Sequence, residues 1–445
     1  MNNGGCVNMK KRLLVQCQLS NYDPNGKFIL EADSGFQMVM GRAREMMKLL
    51  PNLYIDVMLP YDAAVITHPY EIYPDLFMSG HMKIIQHEII PNALATRYDF
   101  DLRKIAHCLD LEQNKNNKGM HYDAVYINDP MHLRNFKAMF HLYSGYMPKF
   151  IVHSHFVDVP ECPKFPVDAS LWLGQCEASI KADYNFWQCE SAMNQFFDSM
   201  GKQFLPHIVD QVKSISSPWD DGYSITEITS PINYGNIRFE LKDFFELTQN
   251  KTIIFLPNRV GGKGRSSDYT NCGKFMWELL PQLAQSRMKN NKLDFVVIAG
   301  NPSQKFSNDE LRVECGKHGY IKLDNGPFNR DEFKFIAKQS HITLGLYNQD
   351  PYGGTASREC IELGSMPLWL NNFEYSNLIQ VSGMSHCLAK PDFSDFVEKL
   401  NGLINLARSP GDHQIKNKEN LHRIVREKCS YEHTTYDAIM KMGLA

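Results

Sequence analysis

Gly353, Gly354 and Thr355 stand side by side, and Glu359 follows four positions later, in the stretch DPYGGTASRECIELGSMPLWL that runs from Asp350 to Leu370. Paired glycines ahead of a helix let backbone N–H groups approach an anion closely, and a helix start favours negative charge. An acid one turn further on would read hydroxyls beside that anion, such as those of a ribose. The plainer alternatives are an ordinary Gly-Gly turn and a solvated helix glutamate. Glu362, on the same helix, is the comparison and is expected to be replaceable. Arg259 follows the apolar run TIIFLPN, where its guanidinium can offer a bidentate pair to a phosphate; the alternative is a surface ion pair. A lysine would add a point charge there, and Lys263 and Lys274 are both open for that role.

His153 and His155 alternate in the run KFIVHSHF. They are expected on opposite faces of a strand, one in the core and the other towards a ligand. A zinc site is the rival use of such residues, but no further Cys/His pair at ligand spacing supports it, so no metal is expected. Ser34 and Gly35 lie in the first strand–helix loop, where they would either touch a ligand or serve as a plain helix cap.

The elements that must position these residues are legible as alternating runs. RLLVQCQL is a strand, GFQMVMGRAREMMKLL a helix and YIDVMLP a second strand, a βαβ unit. YDAVYIND, KFIVHSHF and the start of DYNFWQCESAMNQFFDSMG continue the theme. From Ser214 to Glu240 the composition turns to Ser, Pro, Gly and Asn, which marks a domain boundary. After it come TIIFLPN, LDFVVIAGN, YIKLDNG, HITLGLY and MPLWLNN, five strands with interposed helices. The expected architecture is α/β: two Rossmann-like, doubly wound domains facing across a cleft. The first would span 1–225 and the second 235–425, with a closing helix in 426–445 crossing back to the first. Ligands of such sheets bind beyond the carboxyl ends of the strands.

A chain of 445 residues suits two domains, and 43% hydrophobic with 22% charged residues makes it globular. Its net charge of −3 argues against a protein that coats nucleic acid through overall charge. That charge is uneven, about −6 before Pro231 and about +3 from there on. The eleven cysteines are scattered without a CxxC pair, as for free thiols in a reducing compartment. With no apolar leader in MNNGGCVNMKKRLLVQCQLS and no membrane-length apolar run, a cytoplasmic protein is expected.

The order of these motifs resembles the GT-B glycosyltransferases, in their retaining glycogen-synthase and sucrose-synthase branch. The likeness covers the second domain well and the first by topology. It rests on Arg259 with Lys263 or Lys274, then Gly353–Gly354–Thr355, Glu359, and GSMPLWL from Gly364. The spacing from Glu359 to Pro367, together with IVHSHFVD, is most like the DNA α-glucosyltransferases of T-even phages. The resemblance implies transfer of a sugar from a nucleotide diphosphate, UDP-linked, with retention and without a metal or other cofactor. Arg259 and the lysine would stabilise the leaving diphosphate. Glu359 would bind both ribose hydroxyls, and His155 would orient the donor sugar. The implied acceptor is a 5-hydroxymethylated pyrimidine in double-stranded phage DNA, whose phosphates NRVGGKGR and SRMKNNK would meet; a glycan, lipid carrier or small molecule is the alternative. In the family a second glutamate precedes this one, with seven residues between them. The expected position here holds Pro351, with Asp350 one step away. That departure leaves room for a non-catalytic nucleotide-binding protein on the same scaffold.

Overall fold

A computed structural model of the chain describes residues 10–19, 25–61, 64–88, 90–91, 98–155, 157, 169–260, 272–302, 308–321, 323, 328–346, 354–371, 373–390, 392–408 and 411–445. It divides into two compact units, Met1–Asp221 with Tyr431–Ala445, and Gly222–Ser430. Each is built on its own parallel sheet.

In the first unit the strands are β1 (Lys11–Gln16), β2 (Leu53–Pro60), β3 (Met82–His87), β4 (Ala124–Ile127), β5 (Lys149–Ser154), β6 (Tyr184–Trp187) and β7 (Ser216–Pro218), in the order β3-β2-β1-β4-β5-β6-β7. The central strands each carry an apolar run because helices cover both faces of a parallel sheet. The two edge strands were not expected from sequence. Met82–His87 carries an exposed Lys83, and Ser216–Pro218 is short and ends in a proline, as a sheet edge tolerates. Helix α1 (Ser34–Leu49) follows β1, and the Asp33 carboxylate accepts from Phe36 N at 2.9 Å, so Asp33 rather than Ser34 is its cap. Gly35 is buried where a Cβ would lie 2.2 Å from the Gln18 carbonyl oxygen, which explains the glycine. The helix Tyr431–Met442 returns to this unit. The Tyr431 ring sits 2.4 Å from where a Cβ on Gly41 of α1 would be, and Ala438, Ile439 and Met442 join the same core.

The second unit holds β8 (Thr252–Val260), β9 (Phe295–Pro302), β10 (Ile342–Gly345), β11 (Met366–Leu370) and β12 (Leu388–Ala389), in the order β9-β8-β10-β11-β12. One expected strand is described only in part. In YIKLDNG the described residues are Tyr320, Ile321 and Leu323, of which Tyr320 makes an isolated bridge to Val297, while the rest lies outside the described residues; among the described residues the strand the sequence did not mark is Leu388–Ala389. Helix α2 (Arg330–Gln339) opens with a capping box, in which Asn329 Oδ1 accepts from Glu332 N at 3.0 Å while Glu332 Oε2 accepts from Asn329 N at 2.9 Å. Helix α3 (Thr355–Glu362) lies between β10 and β11 in sequence.

The chain enters and leaves this unit along neighbouring segments. Tyr223 N donates to the Cys429 carbonyl at 3.2 Å, and Tyr223 bridges Ser430. A Cβ on Gly222 would lie 1.5 Å from that carbonyl oxygen, so only glycine fits there.

Candidate functional site

Strand β8 runs straight until Pro257. Proline has no N–H to give the ladder, and the pairing with β9 shifts register between Leu256 and Arg259. Bulges of this kind re-aim side chains next to binding sites. Arg259 therefore follows an irregularity at the carboxyl end of its strand, opposite Asn301. The neighbouring strand on the other side is β10, and α3 begins in the connection that leaves the carboxyl end of β10. Gly354 is its cap residue and Thr355 its first helical residue. The Ser357 hydroxyl in its first turn is buried and has no hydrogen-bond partner among the described residues. A helix start in such a connection is where backbone N–H groups can meet an anion.

Glu359 is 7% exposed and is held by a residue that sequence reading passed over. Arg330, first residue of α2, donates Nη2 to Oε1 at 2.7 Å and Nη1 to Oε2 at 3.0 Å, while its Nε lies 3.2 Å from Glu227 Oε1. Such a bidentate pair fixes the carboxylate and brings a second guanidinium to the acid read as ribose-binding. The capping box was the available signal, since it places Arg330 at the helix start. Lys274 is exposed, on the short turn Cys272–Lys274 that runs into the π-helical Phe275–Leu279. Lys263, Gly353, Asp350 and Pro351 lie outside the described residues.

Glu362 corrects the expectation that it is replaceable. Its carboxylate accepts from Tyr223 Oη at 2.9 Å and from Arg426 Nε at 3.2 Å, Arg426 Nη2 donates to its other oxygen, and His422 Nε2 lies 3.0 Å away. Burial alone would push its carboxyl up, but the bonds from His422, Arg426 and Tyr223 hold it down at about 2. Glu359 and Glu362 are thus both engaged, in separate networks.

In the first unit a charged cluster lies buried at the carboxyl edge of the sheet. His153 ends β5 within the strand and His155 sits in the bend just after it. Residues two apart share a face of a strand, so the expected opposite facing is overturned. His155 Nδ1 donates to Asp221 Oδ2, and His153 Nε2 lies 3.6 Å from Asp221 Oδ1. Arg42 of α1 donates Nη2 to Asp221 Oδ1 at 3.0 Å and to the carbonyls of Trp219 and Asp220 at 2.9 Å each. Its guanidinium carbon lies 4.1 Å from the centre of the Trp219 ring, a cation–π stack. Arg42 Nη1 points at His153 Nδ1 from 2.6 Å and at Tyr126 Oη from 2.9 Å. A guanidinium can only donate, so His153 Nδ1 accepts and that ring is neutral. Burial first, then Arg42, drives its basicity well below the usual histidine range. His155 behaves oppositely: burial would lower it, but the charge and bond of Asp221 raise it above the ordinary value. Burial would raise Asp221 itself, yet His155 and Arg42 hold it at about 2.

Among the described residues no group of three or more His, Cys, Asp or Glu could hold a metal ion, and no helix is long and apolar enough to cross a membrane. No family model matches the chain, and no curated protein matches it in sequence. Solved structures match over its whole length. HepE of Anabaena in complex with UDP-glucose has a TM-score of 0.59 at 10% identity, covering 98% of this chain and 100% of that one. Sucrose-phosphate synthase from Thermosynechococcus elongatus has a TM-score of 0.59 at 11% identity, over 97% and 98%. The α,α-trehalose-phosphate synthase (UDP-forming) from Burkholderia xenovorans, in complex with glucose-6-phosphate, has a TM-score of 0.58 at 10% identity, over 97% and 100%.

The chain has the GT-B fold. At such identities the likeness is one of fold, with two Rossmann-like units on sheets of seven and five strands. In this GT-B chain Arg259, Gly354, Thr355 and Glu359 share the second unit, while Gly35 and His155 share the first. Arg42, Asp221 and Arg330 are the residues the sequence left unmarked.

Proposed function

We propose that the chain is a glycosyltransferase that moves a sugar from a UDP-linked donor to a hydroxyl acceptor, with retention and without a metal. The observation that carries this reading is the carboxyl edge of the second unit. There Arg259, which follows the register shift at Pro257, and the start of α3 belong to adjoining strands. A departing diphosphate needs charge stabilisation of this kind, from donors already in place. The Arg330–Glu359 pair adds a guanidinium and an acid whose oxygens keep lone pairs for ribose hydroxyls. The solved HepE structure with UDP-glucose, on the same fold, favours a UDP-sugar. Retention comes from the family likeness, in which the leaving phosphate helps to take the acceptor proton.

Two acceptors are favoured by different observations. The Glu359–Pro367 spacing favours a hydroxymethylated pyrimidine in DNA, flipped out to reach the reacting carbon. The sucrose-phosphate and trehalose-phosphate synthases among the solved neighbours favour a small sugar acceptor. Incubation with labelled nucleotide sugars, in separate reactions with hydroxymethylated DNA and with small sugars, followed by mass measurement, decides between them. Label on one acceptor, undiminished by EDTA, is the expected result. No transfer from any donor sinks the reading, and loss with EDTA rescued by a divalent cation sinks metal independence.

Glu359→Gln keeps the shape of the side chain but removes the charge that holds Arg330. UDP affinity, measured by calorimetry, is expected to fall by roughly tenfold, the scale of one charge-assisted hydrogen bond. Unchanged affinity removes the ribose role.

A further inference from the structure

We propose that the second unit carries a binding site for a small amphipathic carboxylate, an apolar chain ending in a negative charge, at the amino-terminal edge of its sheet. The site is a cavity of about 480 Å³, within the roughly 300–1,000 Å³ that small-molecule pockets occupy. It is bordered by the last turn of α2, by His341 just before β10, by Ile361 near the end of α3 and by Met366, the first residue of β11. The strands of this sheet are parallel, so these ends lie on the edge opposite Arg259 and the start of α3. Two further helices line it, α4 (Phe393–Arg408) and α5 (Asp412–Cys429).

Helix α5 inverts the usual placing of its residues. Ile415, Lys418, Glu419 and His422 fall at i, i+3, i+4 and i+7, one face of a helix, and all four line the cavity. Ile415 is 45% exposed there, while Lys418 is half-buried. Ile361, Met366, Leu406 and Ala407 complete the apolar wall. An open isoleucine beside a lysine drawn inward suits a ligand that brings an apolar body and a negative charge together. Lys418 has no hydrogen-bond or ion-pair partner among the described residues. Its nearby candidates are otherwise engaged or turned to water. The carbonyls that end α3, the usual partners of a lysine at a helix end, accept instead from the N–H groups of Leu363, Gly364 and Ser365. Glu419 is exposed, and His422 lies 3.0 Å from Glu362. Burial pulls the Lys418 amine below its ordinary value, with no carboxylate opposing it. A ligand carboxylate supplies that missing partner, and Lys338, exposed in the last turn of α2, adds a second positive charge. Two lysines against Glu419 favour an anion over a cation, and the apolar wall favours a carbon chain over a bare inorganic ion.

The test titrates octanoate into the full chain by calorimetry, with octylammonium and inorganic phosphate as controls. Octanoate is expected to bind at one site, and both controls far more weakly. Lys418→Met keeps the apolar stem and removes the charge. Octanoate affinity is then expected to fall by roughly tenfold, the scale of one charge-assisted hydrogen bond, with a thermal transition no lower than the parent's. UDP in excess is expected to leave octanoate binding unchanged, because the cavity lies at the other edge of the sheet from the proposed diphosphate site. Displacement by UDP puts the anion in that site and overturns the proposal. Equal binding of octylammonium reduces the cavity to an apolar patch, equal binding of phosphate reduces it to a surface charge, and unchanged affinity in Lys418→Met removes the lysine; each overturns it. So does a parent that does not bind octanoate, a measurement that needs no variant to fold. None of these outcomes depends on sugar transfer, so a chain that binds octanoate and transfers nothing keeps this site and loses the transferase reading alone.

Discussion

Arg259→Ala loses sugar transfer by on the order of a hundredfold or more, the usual effect of deleting one preorganised donor to a developing negative charge. The expectation follows from how β8 is made. Pro257 interrupts the ladder, the register with β9 slips, and Arg259 follows at the strand's carboxyl end. That slip costs pairing in the middle of a sheet, and a purely structural strand gains nothing from it. The loss belongs to kcat/KM with the UDP-sugar, while the thermal transition stays that of the parent, because the described apolar core of β8 is Ile253 to Leu256. Parent-level turnover in Arg259→Ala removes this arginine from the leaving-group site.

Glu362→Ala has the largest expected effect on stability. Removing this carboxylate strands Arg426, His422 and the buried Tyr223 hydroxyl together. Breaking a buried pair costs roughly 3–5 kcal/mol, and the low end applies because Arg426 and His422 are about a third exposed and regain water. About 3 kcal/mol in a unit of this size lowers Tm by about 6–12 °C. The pH dependence has a definite sign. A glutamate held at about 2 in the folded state contributes fully above its unfolded value and loses that contribution as pH falls towards 2. The parent should therefore lose stability below about pH 4 more steeply than the variant does. Coincident calorimetric transitions for parent and variant at neutral pH would show that the network contributes nothing.

Most of the fold was legible because the central strands are apolar runs, and a strand covered on both faces has no other use for its residues. Met82–His87 escaped notice because an edge strand with Lys83 exposed has no such run, and Ser216–Pro218 because three residues carry no period. At the start of YIKLDNG the described Tyr320 makes one bridge, beside Gly319 in the left-handed conformation with φ 97°. The site was legible where function coincides with a local break, as at Pro257–Arg259 and at the glycines before Thr355. It was illegible where it depends on distant partners. Arg42 reads as a flaw on the apolar face of α1 until Asp221, 179 residues away, supplies its carboxylate. Glu362 looked like a solvated neighbour of Glu359 because Tyr223 and Arg426 reach it from 139 and 64 residues away.

The return of Tyr431–Met442 to α1 sets the order in which a growing chain can be finished. Units ordinarily fold as they leave the ribosome, the earlier one first. Here the earlier one emerges with Gly41 facing empty space, because Tyr431, Ala438, Ile439 and Met442 are translated only after the whole of Gly222–Ser430. For as long as that takes, an apolar helix face and the buried Arg42 are open to water or to a chaperone. The unit begun first is completed last.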